Sequence, residues 1–262
     1  MKLGYSNGLL HESLEDTCAR AAGAGYDGLE CLFDEYTLGE PERIQRLLDE
    51  YGLELAAGAA LLSDERELIH LDASVRAAAV DYLCTAVELA ADLGAGVLTV
   101  APAADGRLTP RAAVELEWAW CVEGLRAAQE VGDRRGVRIG IEPVCRFETY
   151  FVTQADQALT LAEEVGPGCG VVLDVFHMYL EERDPLAAIA RASDRLVNFH
   201  LAEHNRLAPG CGVVPWPEVL EALRENGYRS YLTLECLLPA SAALDAGQDA
   251  TVAAAALLRS LA

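Results

Sequence analysis

The chain is poor in basic residues, with 20 Lys and Arg against 42 Asp and Glu and a formal net charge of −22 over 262 residues. Nucleic-acid binding rests on Lys and Arg that neutralise phosphates, so a polyanionic partner is not expected. The same charge suits a divalent cation and a neutral substrate. Long apolar runs are also missing, and none approaches the roughly 18 uninterrupted residues of a membrane helix. No membrane partner is expected, although a hydrophobic content of 52% supports a sizeable core. The N-terminus, Met1-Lys2-Leu3-Gly4-Tyr5, enters a strand-like run without the apolar stretch of a signal peptide, and a cytoplasmic protein is expected. Eight cysteines contain no C-x-x-C pair, which argues against a zinc ribbon or a dithiol redox motif. They lie mostly in apolar runs and read as reduced core cysteines. With no Pro/Ser/Gly-rich or charge-run linker in sight, residues 1–262 read as one domain.

What the sequence does contain is alternation. Short β-rich runs at 2–5, 28–32, 53–57, 96–100, 138–141, 171–173, 197–200 and 231–234 are separated by longer helical stretches. The helical stretches fall at 14–24, 41–51, 74–93, 110–131, 154–165, 186–192 and 217–226, with 249–261 closing the chain. Several end in Gly at a C-cap position, and prolines stand near four of the starts. Eight βα units in this length predict an α/β fold of the (β/α)8 TIM barrel type. An internal echo supports the repeat. Gly25-Tyr26-Asp27-Gly28-Leu29-Glu30 and Gly227-Tyr228 through Glu235 share a helix-end Gly-Tyr, a strand and a terminal carboxylate. The Gly-Tyr half reads as capping and packing, which leaves the carboxylates as candidates for chemistry.

One stretch organises the rest. In Gly170-Val171-Val172-Leu173-Asp174-Val175-Phe176-His177 an apolar run stops at a carboxylate and reaches an imidazole three residues later. Parallel strands buried on both faces read this way, and ligands of α/β folds gather where such strands end. All strand C-termini of a barrel open on one face. Four consecutive ends, from the fifth strand to the eighth, carry Glu142, Asp174, His200 and Glu235. Three carboxylates and one imidazole make a hard donor set suited to Mn²⁺, with Co²⁺ or Mg²⁺ as alternatives.

Three motifs then resemble a known family. Glu142-Pro143-Val144-Cys145-Arg146-Phe147-Glu148 is similar to an E-x-x-x-R-F-E segment, and Leu173-Asp174-Val175-Phe176-His177-Met178 with Glu181-Glu182 to an L-D-x-F-H-M segment. His200-Leu201-Ala202-Glu203-His204-Asn205-Arg206, with Pro209-Gly210-Cys211-Gly212 and Pro215-Trp216, is similar to H-x-x-E-x-N-R…P-G-x-G…P-W. These segments resemble the sugar phosphate isomerase/epimerase family of xylose-isomerase-like barrels, and within it the ketose 3-epimerases of the D-tagatose and D-allulose (D-psicose) type. The likeness is strong from about Arg138 to Glu235 and thinner before that. Cys211 departs from the family's P-G-x-G residue, and the first half, Ala101-Pro102-Ala103-Ala104-Asp105-Gly106 included, lacks the family's aromatic-rich pocket loops.

The resemblance implies metal ligands Glu142, Asp174, His200 and Glu235, with Glu142 and Glu235 doubling as the acid/base pair. It also implies that Glu148, His177 and Arg206 hold sugar oxygens, and it suggests a homodimer or homotetramer. A surface ion pair with Glu203 is the plainer reading of Arg206; His11, His70 and His204 read as structural or exposed. A 3-epimerase removes the proton beside a ketone and returns it on the other face through an enediolate, work for two carboxylates on opposite sides of the substrate. An aldose–ketose isomerase or an inosose isomerase would use the same groups and remains an alternative at this stage. No glycine-rich phosphate cradle follows the last two strands, which favours an unphosphorylated ketose.

Overall fold

The computed structural model describes residues 1–9, 12–238 and 250–261. Among them, parallel strands β1 (Lys2–Ser6), β2 (Gly28–Leu32), β3 (Glu54–Ala60), β4 (Val97–Val100), β5 (Arg138–Ile141), β6 (Gly170–Asp174), β7 (Leu196–Leu201) and β8 (Tyr231–Leu234) close in sequence order into a barrel. Closure is completed by β1, which pairs with both β2 and β8. Helices α1 (Leu14–Ala24), α2 (Pro41–Tyr51), α3 (Ala73–Asp92), α4 (Val114–Arg135) and α5 (Ala155–Val165) wrap the first five strands. After them come α6 (Val175–Glu181), α7 (Pro185–Ala192), α8 (Trp216–Glu225) and α9 (Ala250–Leu261). The expected (β/α)8 architecture is therefore present. Asp249, the expected start of the last helix, lies outside the described residues.

The strands are nearly all buried, as apolar runs sandwiched between a filled barrel and a ring of helices should be. Close approach sets one residue type: a Cβ on Gly140 of β5 would fall 2.6 Å from Val172 and 2.7 Å from Val197, so glycine is needed for the strands to pack there. All eight cysteines are free thiols, with Cys84 and Cys211 half-buried and the others buried. Among the described residues no helix is long and apolar enough to cross a membrane.

Two local differences from the sequence-based expectation bear on the site. The helix expected from residue 110 begins only at Val114, because the buried Glu117 carboxylate draws the Arg111 and Ala112 amides (2.8 and 2.9 Å) out of helical register. In addition, the segment after Asp174 is a short helix, α6, that periodicity did not reveal. Asp174 starts it, its Oδ1 accepting the Phe176 N–H at 2.7 Å, which satisfies one of the unpaired amides of a first turn.

Glu117 belongs to a sealed ionic cluster. Arg107 reaches Glu117 at 3.2 Å and Glu67 at 3.4 Å, and all three side chains are excluded from solvent. Burial pushes the Glu67 carboxyl above its ordinary range, despite the pull of Arg107. The cluster holds the β4–α4 loop in place. The Tyr150 N–H donates to the Arg107 carbonyl (3.0 Å) and the Gly106 N–H to the Glu148 carbonyl (2.8 Å), which joins this loop to the one following β5.

Candidate functional site

At the C-terminal face of the barrel lies a cavity of about 280 Å³, close to the lower end of the roughly 300–1,000 Å³ typical of small-molecule sites. Its wall has two characters. The strands and loops of the first half, β1 to β4, supply mostly aliphatic side chains, among them Leu9, Leu32, Leu61, Leu62 and Ala103, with Glu30, Thr99 and Asp105 as the polar exceptions. The loops and strand ends of β5 to β8 supply Glu142, Glu148, His177, His200, Arg206 and Glu235. Arg206 is the only Lys or Arg lining the cavity among the described residues.

Glu142, His200 and Glu235, which line the cavity, meet the buried Asp174, each of the four offering one ligand atom, with all four atoms within 4.8 Å of one another. His200 Nδ1 is the hub, 3.0 Å from Glu142 Oε1, 3.4 Å from Glu235 Oε2 and 4.0 Å from Asp174 Oδ2. Burial opposes a charge on His200, yet the surrounding glutamates Glu30, Glu142 and Glu235 hold its pKa well above the ordinary histidine range. Two glutamates are driven apart by their settings. Burial pushes Glu142 up against the pull of His200, whereas at Glu235 the Arg206 guanidinium and His200 outweigh burial and hold the carboxyl low.

This donor set fits a divalent cation. Counted with Glu30 beside His200, four carboxyl side chains converge on one imidazole and one guanidinium, so even with both cationic groups charged the acidic side is in excess. A low-dielectric pocket relieves such an excess by keeping a proton, as the raised Glu142 does in part, or by holding a cation. The ligand atoms, three carboxylate oxygens and an imidazole nitrogen, are of the type chosen by Mn²⁺ and Mg²⁺.

Arg206 stands in the β7–α8 loop with φ 64°, the one non-glycine residue at positive φ among those described. Its guanidinium forks onto Asp174 Oδ2 and, at 2.6 Å, onto Glu235 Oε2. The surface pair with Glu203 is not formed. Glu203 is buried and instead accepts the Gly210 N–H (2.8 Å), the Val214 N–H (3.0 Å) and the Trp216 indole N–H (2.8 Å). That carboxylate therefore ties the P-G-x-G and P-W segments into the platform from which Arg206 projects.

His177 is delivered by α6 and its Nδ1 accepts the Cys145 N–H at 3.0 Å, so the proton of the neutral ring sits on Nε2. Burial pushes its pKa down to about 4, which keeps it neutral at physiological pH. Nε2 lies 4.0 Å from Glu148 Oε2, and Glu148 is only half-buried. Glu181, in the same helix, clamps Arg146 through its guanidinium and its backbone N–H, both at 2.8 Å, and so fixes the loop that carries Glu148. His70 and His204 join no such cluster among the described residues, and His11 lies outside them.

Missing from the four strand-end residues are Glu30 of β2, Thr99 of β4 and Asn198 of β7, all buried and all in contact below His200. The repeated glutamate of the two Gly-Tyr units pointed to Glu30, although it stands in the middle of β2 and not at its end. Thr99 and Asn198 carried no signal beyond being polar within apolar runs.

A model of the xylose isomerase-like TIM barrel family matches residues 18–261. A ketose 3-epimerase of Arthrobacter globiformis is 31% identical over 231 residues, covering 86% of this chain and 78% of that protein. A D-psicose 3-epimerase of Enterocloster bolteae is 36% identical over 115 residues, which is 44% of this chain and only 38% of that relative's length. Among solved structures, a D-allulose 3-epimerase from Methylomonas sp. bound to D-allulose superposes with a TM-score of 0.84 at 25% identity, over 91% of this chain and 84% of that one.

Proposed function

Because this chain belongs to the xylose isomerase-like TIM barrel family, we propose that it is a divalent-metal-dependent ketose 3-epimerase acting on a free ketose of the D-tagatose, D-allulose or D-fructose type. The observation that carries this reading is the meeting of Glu142, Asp174, His200 and Glu235, with ligand atoms within 4.8 Å of one another, beside the cavity. It is supported by relatives named as 3-epimerases.

Glu142, Asp174, His200 and Glu235 would hold the cation, Mn²⁺ by preference with Co²⁺ or Mg²⁺ as alternatives. When bound it would supply the positive charge that makes the proton beside a ketone acidic and stabilises the enediolate. Glu142 and Glu235 come from strands separated by β6 and β7, and they are the proton-transfer pair: one takes the C3 proton and the other returns one to the opposite face. His177, fixed as an Nε2–H donor by the Cys145 amide, orients a substrate oxygen. Glu148 accepts from a hydroxyl group, and Arg206, whose fork reaches Asp174 and Glu235, holds a sugar oxygen with its remaining N–H donors. The aliphatic wall excludes water from the reacting carbon. With Arg206 engaged by two carboxylates and no other Lys or Arg on the described cavity wall, an unphosphorylated sugar is the better fit.

Incubation with D-tagatose, D-fructose and D-allulose in Mn²⁺ and D₂O, read by NMR, is the test. Deuterium at C3 together with the C3 epimer is expected. Label confined to C1 or C2 would instead assign an aldose–ketose isomerase, and no label with any free ketose would remove the ketose reading.

A further inference from the structure

Glu30 sits on the floor of the cavity with no solvent exposure, at a register shift between β2 and β3 that falls between Leu29 and Glu30. Such irregularities re-aim a side chain relative to a regular strand. Oε2 of Glu30 accepts the Asn198 amide N–H at 2.7 Å and the Thr99 hydroxyl at 3.1 Å, and it lies 3.1 Å from His200 Nε2. The orientation of Asn198 is settled by its own acceptor, because Oδ1 takes the Phe199 N–H and the Thr233 hydroxyl, both at 3.0 Å. Its nitrogen therefore faces Glu30. His200 Nε2 lies 3.1 Å from that nitrogen as well as from Glu30, but a bare Nε2 would set its lone pair against the carboxylate, and the charge-assisted bond to Glu30 is the stronger of the two, so Nε2 carries a proton and donates it to Glu30.

We propose that Glu30 is a positioning residue for the cation. By holding the Nε2 proton of His200 it leaves Nδ1 as the nitrogen that gives up its proton to a cation placed between Glu142, Asp174 and Glu235. It also makes the imidazole a stronger donor, as outer carboxylates do for metal-bound histidines. Thr99, Asn198 and Thr233, from three other strands, hold Glu30 in place. A stability role alone would not leave the second oxygen as it is: Oε1 is buried without a hydrogen-bond partner in a cluster otherwise rich in donors. The proposal rests on the reading of the four-residue cluster as a cation site.

The experiment is calorimetric titration of Mn²⁺ into the metal-stripped full chain without sugar, together with the visible spectrum of the Co²⁺ form. Glu30→Gln should bind Mn²⁺ about 10- to 100-fold more weakly and shift the Co²⁺ bands, with its circular dichroism and melting temperature close to wild type. Thr99→Val, which leaves the Glu30–His200 bond in place, should stay within a few-fold of wild type. Wild-type affinity and an unchanged Co²⁺ spectrum in Glu30→Gln would overturn the proposal while leaving the cation site intact. Failure of the wild-type chain to bind either metal would overturn both. Should Glu30→Gln not fold, ¹⁵N spectra of histidine-labelled, Mg²⁺-loaded wild type decide: a proton on Nε2 and none on Nδ1 of His200 is expected, and the reverse assignment refutes the idea.

Discussion

Two clusters of buried charge lie near the mouth of the barrel, and they are built on opposite terms. Around Arg107, one guanidinium stands between Glu67 and Glu117 with no access to solvent, and burial raises the Glu67 carboxyl so that it tends to keep its proton. The cluster thus comes close to neutrality with the groups it has. Around His200 the acidic side is in excess, a cavity opens onto the groups, and Glu142 and Glu235 are pushed in opposite directions. Both clusters would cost several kcal/mol if left unbalanced. The difference is that the first is balanced by its own groups and serves to fix loops, whereas the second keeps an acidic excess beside a cavity, with a donor set that fits a divalent ion.

The largest expected effect falls on the open cluster. Glu142→Gln or Glu235→Gln should leave the fold intact and lower turnover by about 10²–10⁴, the usual worth of a general acid or base. A variant that keeps its metal and a kcat within a few-fold of wild type would show that the glutamate concerned has no part in proton transfer. Next, Arg107→Met strands the buried Glu117 carboxylate and takes the partner from Glu67, and it should cost about 3–5 kcal/mol in denaturant unfolding at neutral pH, easing as the solution is acidified. If the loss were only a few tenths, the sealed cluster would be no better balanced than the open one. Chelation should then lower the melting temperature of wild type by removing the binding contribution, about 2.7 kcal/mol for metal held at a hundredfold its Kd. Because no side chain is shared between the clusters, Arg107→Met should show the same decrement, and a different one would reveal coupling.

The smallest effect is a slope with pH. Glu67 holds its proton more tightly in the folded than in the unfolded chain, so its stabilising contribution is full below the unfolded carboxyl pKa of about 4.3 and fades as pH rises through the folded value. Wild-type stability should fall over that window, and Glu67→Gln should lack this part of the decline. Identical profiles for the two proteins would mean that Glu67 does not titrate abnormally.

How much of this the sequence discloses follows from how far apart in the chain each feature is. The strand-end residues Glu142, Asp174, His200 and Glu235 were legible because a parallel barrel turns four separate strand ends into neighbours by one rule. Strand positions were legible too, since burial on both faces leaves uninterrupted apolar runs. Helix α6 was not, because seven residues give too few turns for a periodic pattern and its cap, Asp174, reads equally well as a ligand. Nor was the sealed cluster, in which Glu67, Arg107 and Glu117 come from three segments with no motif linking them. Arg206 shows the limit most directly: a sequence neighbour, Glu203, offered an obvious partner, but that carboxylate is consumed by backbone amides and an indole.

Asp174 closes a strand, opens a helix through the Phe176 amide, and faces Arg206 with its other oxygen. As a question of heredity, that leaves the position almost no freedom. Asparagine would keep the cap and lose the charge, and glutamate would keep the charge but overreach the cap. His177, one turn further on, inherits its location from the same side chain. Variation in what the cavity accepts is therefore barred from this half and has to be written in the other, where Leu9, Leu32, Leu61 and Leu62 line the wall with side chains that make no hydrogen bonds and can be exchanged without disturbing the acidic cluster.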